Sequence, residues 1–374
     1  MQELATPAAP GAAQPFVVAT PDSQVLLSWI EPDGEGSHAL RVASLNGSTW
    51  SEPGTVVSRG DLFVNWADFP SVLQLPGGDL IAHWLQRSGE GTYAYDIRIA
   101  RSHDRGATWS AGTVPHQDGV EAEHGFVSLW PAGGDSVALT WLDGRNYADD
   151  DEDAHEMMLL TTIMAPDGGI SGEVVLDGRI CDCCQTGHAT ARSGPVIFYR
   201  GRSAEEIRDV QVVRWTGNGW SVPFAVHDDG WQISGCPVNG PQADAAGDTV
   251  AVAWFAAPDA AAPVVQLAIS HDGGESFFAP VRVDQGAPIG RVDVVMTADG
   301  PVVSWLERSG DAAASVMLRR FSWTGAAAGD AIRLHTGSAA RGSGFPRMTH
   351  AGDGIVLVWA DTEARNLRLY RITF

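Results

Sequence analysis

Residues 76–84 read PGGDLIAHW: a Gly/Asp turn hands over to a short apolar run that ends in Trp84. The same arrangement recurs along the chain. It appears as QVLLSW (24–29), SVALTW (136–141), TVAVAW (249–254), PVVSW (301–305) and IVLVW (355–359). The tryptophans at 29, 84, 141, 254, 305 and 359 are spaced by 55, 57, 113, 51 and 54 residues. The step of 113 is a double one, and GPVIFY, ending at Tyr199, fills its middle. That makes seven copies. Another short apolar segment precedes each turn, and one or two alternating segments follow, such as YDIRIARS and DVQVVRW.

No segment keeps a 3.6-residue apolar period, whereas short β-rich runs bounded by turn signals are everywhere. Four short strands per repeat of about 40–50 residues is the pattern of a β-propeller blade. The spacing therefore predicts an all-β chain: a seven-bladed β-propeller, rather than one of six blades. It would be a single domain over residues 15–374 behind an N-terminal tail, 1–14. Large aromatics at one recurring strand position would fill the gaps between blades, which gives the 14 Trp against 5 Tyr a structural reason. The last repeat, from Phe345, has only three strands, so a strand from before Pro15 is expected to complete it.

Of 374 residues, 44% are hydrophobic and 19% charged, a globular balance. With 24 basic against 46 acidic residues the net charge is −22. Such an envelope repels phosphate backbones and anionic lipid, which argues against a nucleic-acid partner. No apolar run approaches the ~20 residues of a membrane span. The N-terminus, MQELATPAAPGAAQP, has neither a basic n-region nor an apolar h-region. An Ala/Pro/Gln tail of this kind is what remains once a signal has been cut off and a start Met added. A periplasmic or secreted location is the expectation.

Two repeats carry a further motif. Ser102-His-Asp104-Arg-Gly106-Ala-Thr108-Trp109 fits S-x-D-x-G-x-T-W, and Ser270-His-Asp272-Gly-Gly274-Glu-Ser276-Phe277 fits with conservative changes. Degraded versions end at Trp50 and Trp220. The physics is a tight turn: an Asp carboxylate caps backbone N–H groups and a Gly takes a positive φ. On these motifs the chain resembles the BNR/Asp-box, sialidase-like β-propellers along nearly its whole length. Within them it resembles a branch carrying the strings CDCCQT (181–186) and GCPVNGP (235–241).

The resemblance implies where function would sit. In that superfamily the inner strand of each blade starts at the end of the ring that carries the site, and the Asp boxes lie at the other end. The ligand-binding candidates at such an axial mouth are Trp66, Asp68, His124, Gln185, Asn239, Arg291, Arg341 and Arg347. Asp68, Glu123, Arg291 and Arg347 are the catalytic candidates. If the protein is an enzyme, the resemblance implies an exo-acting glycoside hydrolase of sialidase type. That chemistry uses three Arg to clamp a carboxylate, a Tyr–Glu nucleophile pair and an Asp acid. The chain departs from it: the Arg of the R-I-P motif is replaced by Phe69, and no Tyr opens an inner strand.

Four cysteines, 181, 183, 184 and 236, are the only ones in the chain. Two readings stand. In an oxidising compartment they are disulfides stapling neighbouring blades, with Cys183 and Cys236, one repeat apart, the closest pair. Alternatively Cys181, Cys183, Cys184 and Cys236 hold a soft metal with His188, copper or zinc being the ions that thiolates favour. The acidic run 149–156 reads as a solvated loop or as a calcium-recruiting flap, because carboxylates suit hard cations. The leading functional reading is a ligand taken at the mouth by a Cys/His/Arg cluster, with copper first. The partner would be a small molecule, a glycan or a metal. The alternatives are the glycoside hydrolase and a non-catalytic interaction module with structural disulfides.

Overall fold

The structure is a computed structural model and describes residues 1–148, 155–259 and 262–374. Its strands, in chain order, fall into sheets. A short β1 (Gln2–Leu4) comes first. Then follow β2 (Ala13–Ala19), β3 (Val25–Pro32), β4 (His38–Asn46), β5 (Thr49–Trp50) and β6 (Gly54–Arg59) in one sheet. The next sheet is β7 (Ser71–Gln74), β8 (Leu80–Arg87) and β9 (Tyr95–Ser102). It is succeeded by β10 (His124–Gly133), β11 (Ser136–Asp143), β12 (Met158–Met164) and β13 (Val174–Asp177). The fourth sheet is β14 (Gly187–Ala191), β15 (Gly194–Arg200), β16 (Val210–Arg214) and β17 (Phe224–Ala225). The fifth is β18 (Gln242–Ala246), β19 (Thr249–Ala256), β20 (Val264–Ser270) and β21 (Val281–Arg282). The sixth is β22 (Pro288–Thr297), β23 (Gly300–Arg308), β24 (Ala313–Arg320) and β25 (Ile332–Ser338). The seventh is β26 (Arg347–Ala351), β27 (Gly354–Asp361) and β28 (Asn366–Thr373). Within each sheet successive strands are neighbours, except that β6 pairs with β4, and the seven sheets are the blades of a seven-bladed β-propeller.

The strand missing from the last blade comes from the other end of the chain. β1 pairs antiparallel with β28 in the register Gln2↔Arg371, Glu3↔Tyr370 and Leu4↔Leu369. This is the strand expected from the segment before Pro15.

Each recurring aromatic lies on the second strand of its blade: Trp29, Trp84, Trp141, Tyr199, Trp254, Trp305 and Trp359. All seven are buried. A buried indole N–H needs an acceptor, and the sequence provides one two residues on, where a strand returns to the same face. Trp29 donates to Glu31 at 2.7 Å, Trp141 to Asp143 at 2.8 Å and Trp305 to Glu307 at 3.0 Å.

The blades belong to two compact units. Met1–Val175 with Arg341–Phe374 holds the sheets begun by β2, β7, β10 and β26; Leu176–Ala340 holds those begun by β14, β18 and β22. In the first unit β2 runs beside β26 and β7. In the second β14 runs beside β18, and β18 beside β22, around a core that includes Phe198, Trp254 and Trp305.

Both Asp motifs form the expected turns. Asp104 accepts the Thr108 N–H at 2.8 Å, and the Ser102 hydroxyl accepts the Gly106 N–H at 2.8 Å. Asp272 accepts the Ser276 N–H at 3.0 Å, and Ser270 accepts the Gly274 N–H at 2.9 Å. Gly106 and Gly274 sit at φ +88° and +83°, where a Cβ would be strained.

Candidate functional site

The sulfur cluster lies in the second unit. Cys181–Cys184 forms the approach to β14, and Cys236 stands just before β18. Cys183 and Cys236 are joined in a disulfide, with Cα atoms 6.0 Å apart. Equivalent approaches to adjacent inner strands run side by side, which is why the one-repeat separation of 53 residues closes the bond. Within the β18–β21 blade, β18 ends at the Ala246↔Thr249 turn and Ser270 pairs with Val250. The Asp272 turn is therefore at the opposite end of that blade from Cys236.

Cys181 and Cys184 remain thiols, each 1% exposed, with their sulfurs 2.9 Å apart. The Cys181 sulfur is also 3.9 Å from that of Cys183. Burial pushes the Cys181 thiol up. The Cys184 S–H, the Cys183 N–H and the Arg208 and Arg200 charges outweigh it and bring the group down to about 7. Cys184 moves the other way, raised by burial and by the charge on its neighbour. Of the two, Cys181 is the one that gives up its proton more readily.

Two buried guanidiniums frame the pair. Arg200 is held by backbone carbonyls: Arg208 at 2.5 Å, Asn239 at 2.8 Å and Phe255 at 2.7 Å. Its guanidinium also lies over the Trp231 ring at 4.7 Å. Arg208 donates to Glu206 at 2.7 Å and faces the Cys181 sulfur. Its Nε and Nη1 are buried, and no oxygen accepts from them among the described residues.

The neighbouring candidates hold backbone. Gln185 accepts from the Gly240 N–H at 3.1 Å. Asn239 accepts from the Arg291 N–H at 2.7 Å and donates to Ile289 O at 3.3 Å. Arg291 donates to Ala340 O at 3.3 Å. The GCPVNGP string thereby ties together the approaches to three inner strands, and a Cβ at Gly240 would lie 1.9 Å from Gln185 O. His188 is half-buried on β14 beside the Thr190 hydroxyl at 3.2 Å. The side chains gathered closely enough to share an ion here are Cys181, Cys183 and Cys184.

In the first unit the structure brings Asp68 and Glu123 together through Tyr95. The phenol donates to Glu123 at 2.8 Å and lies 3.2 Å from Asp68, whose other oxygen accepts the Phe126 N–H at 2.9 Å. Burial pushes the Asp68 carboxyl up to about 8; the Phe126 N–H opposes this and the Glu123 charge adds to it. Tyr95 is fully buried, and Phe63 stacks on it at 3.9 Å.

His124 lies on a second network. It meets Asp118 at 2.9 Å and stacks on His116 with ring centroids 3.7 Å apart. Burial disfavours its charge, but Asp118, Asp143 and Asp96 together raise its pKa. Arg145 bridges Asp118 at 2.9 Å, Asp143 at 2.7 Å and Glu173 at 2.8 Å. Arg347 is buried over Phe69 at 4.6 Å, and Trp66 stacks on Phe345 at 5.9 Å with Arg341 over its ring. Residues 149–154 of the acidic run lie outside the described residues; beside them His155 meets Tyr147 at 5.5 Å.

Tyr95, His116 and Asp118 carry no signal in the sequence. Tyr95 opens a third strand rather than an inner one, and the two others lie between β9 and β10, outside any strand.

No family model matches the chain, and no curated protein matches it. Solved structures do. A protein of unknown function from Dyadobacter fermentans aligns over 100% of this chain and 98% of its own, at 13% identity and a TM-score of 0.54. A polysaccharide lyase of family PL25, an ulvan lyase, aligns over 84% and 80%, at 13% identity and a TM-score of 0.50. The NanB sialidase of Streptococcus pneumoniae aligns over 97% and 68%, at 12% identity and a TM-score of 0.46. The fold is a seven-bladed β-propeller. At these identities the likeness is one of fold, and function has to be argued from the residues.

Proposed function

We propose that this protein is an exported β-propeller that binds a soft metal ion, Cu(I) in class, at the Cys181–Cys184 dithiol. One observation carries the reading: two buried thiols face each other with sulfurs 2.9 Å apart, beside a buried guanidinium. Soft thiolates select Cu(I), and two of them leave a cuprous centre with one net negative charge, which Arg208 offsets. Zinc fits less well. A structural zinc takes four ligands, and Cys183 and Cys236 are committed to each other. The disulfide supports export, since such bonds persist in oxidising compartments. Among the described residues no helix is long and apolar enough to cross a membrane.

The test is an anaerobic Cu(I) titration of the purified chain against a chromophoric chelator. One equivalent should be retained, and Cys181→Ser and Cys184→Ser should each lose it, while His188→Ala keeps it. Retention in the two serine variants, or none in the native chain, would overturn the reading.

A second reading is favoured by a different observation, the Tyr95 phenol between Glu123 and a protonated Asp68. A phenol–carboxylate pair with a carboxylic acid is the equipment of a sialidase-type glycoside hydrolase, and one of the aligned structures is named a polysaccharide lyase. Release of 4-methylumbelliferone from an aryl sialoside, abolished in Asp68→Asn, would support it. The complete burial of Tyr95 beneath Phe63 weighs against it. Absence of both activities would leave the interaction module.

A further inference from the structure

We infer that the Cys181–Cys184 dithiol and the Cys183–Cys236 disulfide form one exchangeable unit, in which the single disulfide passes between two pairings. The sulfurs stand in a row. Cys184 is 2.9 Å from Cys181, Cys181 is 3.9 Å from Cys183, and Cys183 is bonded to Cys236. A sulfur in van der Waals contact with a disulfide sulfur is placed for exchange, and Cys181-x-x-Cys184 is the spacing in which two cysteines close a disulfide readily.

The exchange balances without an external oxidant. The Cys181 thiol first gives up its proton, and its sulfur, now a thiolate, attacks the Cys183 sulfur. The Cys181–Cys183 bond forms, the Cys183–Cys236 bond breaks, and Cys236 leaves as a thiolate that takes up a proton. Cys184 then loses its proton and attacks the Cys181 sulfur. The Cys181–Cys184 bond forms, and Cys183 leaves as a thiolate and is protonated. One disulfide and two thiols are present before and after. The Cys181–Cys184 pair is oxidised as the Cys183–Cys236 pair is reduced, so the chain undergoes no net oxidation, and two protons have moved from the first pair to the second.

The two forms differ at the surface. Cys236 is exposed, whereas Cys181 and Cys184 are buried. Exchange therefore places the oxidised pair in the interior and a free thiol outside, where a small thiol or a disulfide-bearing partner would meet it. It also unties the approach to β18 from the approach to β14. One consequence rests on the copper reading: the exchanged form has no free thiol at 181 or 184, so its Cu(I) capacity is lost. The exchange itself does not need an ion.

The experiment is disulfide mapping by mass spectrometry on the metal-free full chain. The chain is held anaerobically without reductant, quenched with acid, and alkylated after unfolding. The expected result is two populations. One is bonded 183–236 with Cys181 and Cys184 alkylated; the other is bonded 181–184 with Cys183 and Cys236 alkylated. Cys181→Ser should lose the second population completely. Cys184→Ser, should Cys181→Ser fold poorly, should replace it with a 181–183 bond and an alkylated Cys236. A native chain holding only the 183–236 bond would overturn the inference. So would the two disulfides occurring together in one molecule, because the pairs would then oxidise independently. Since no metal is present, these outcomes are separate from those of the Cu(I) titration.

Discussion

At the scale of single residues, Asp68 is the group whose environment most alters its chemistry. It is 2% exposed, and its folded pKa of about 8 lies far above the ordinary carboxyl value. An acid whose pKa rises on folding takes up a proton when the chain folds. Between about pH 4 and about pH 8 the native state holds a proton that the unfolded state has released. Stability therefore falls as the pH rises through that window, and this group adds no dependence on either side of it. The groups facing Asp68 are Tyr95, the Phe126 N–H and Glu123. Asn at position 68 keeps an acceptor for the Phe126 N–H and removes the titration. The thermal midpoint of the native chain should drop between pH 5 and pH 8, and the drop should be shallower in Asp68→Asn. Parallel pH profiles for the two proteins would mean that Asp68 ionises as an exposed carboxyl does.

At the scale of strands and turns, what the sequence discloses follows from what repeats. The second strand of each blade buries one large aromatic, so its Trp or Tyr recurs with the blade and counts the blades. The acid two residues after Trp29, Trp141 and Trp305 has the same origin, since each indole N–H takes its acceptor from the same strand face. The pairing of Cys183 with Cys236 was legible for a related reason: a one-repeat separation puts two residues at equivalent places on neighbouring blades. Residues without a repeat equivalent were not legible. Tyr95, at the start of β9, meets Asp68 and Glu123, which precede β7 and β10, and no spacing encodes that meeting. Nor did residue type show how Gln185, Asn239 and Arg291 are used. Each has the polar chemistry of a ligand-binding side chain, yet the bonds described above join them to backbone at neighbouring strand approaches. The two cysteines left as thiols were beyond reach too, because four sulfurs so close in sequence permit several pairings and only the fold selects one.

At the scale of the whole molecule the governing quantity is charge. The 24 basic residues face 46 acidic ones. Many of the arginines are already engaged with carboxylates, as in Arg41 with Glu31, Arg101 with Asp79, Arg282 with Asp284 and Arg368 with Asp361. The acids outnumber the bases by 22, so one-to-one pairing leaves an excess of negative charge that folding crowds onto one surface. Their mutual repulsion destabilises the compact state. Salt acts on both kinds of interaction. It weakens exposed ion pairs, each worth ~0–1 kcal/mol, and it screens repulsion beyond a Debye length of about 10 Å at 0.1 M. With −22 net charges the long-range repulsion is the larger sum, because it runs over all pairs of acids while each attraction is a single contact. Raising NaCl from 10 to about 200 mM, a range over which the Debye length shrinks from about 30 Å to under 10 Å, should therefore raise the thermal midpoint at pH 7. KCl should act equally at the same ionic strength, since screening does not distinguish the two cations. The effect should fade near pH 4.5, where protonation of the carboxylates removes the excess charge. A midpoint that falls steadily with salt at pH 7 would mean that the local pairs outweigh the repulsion.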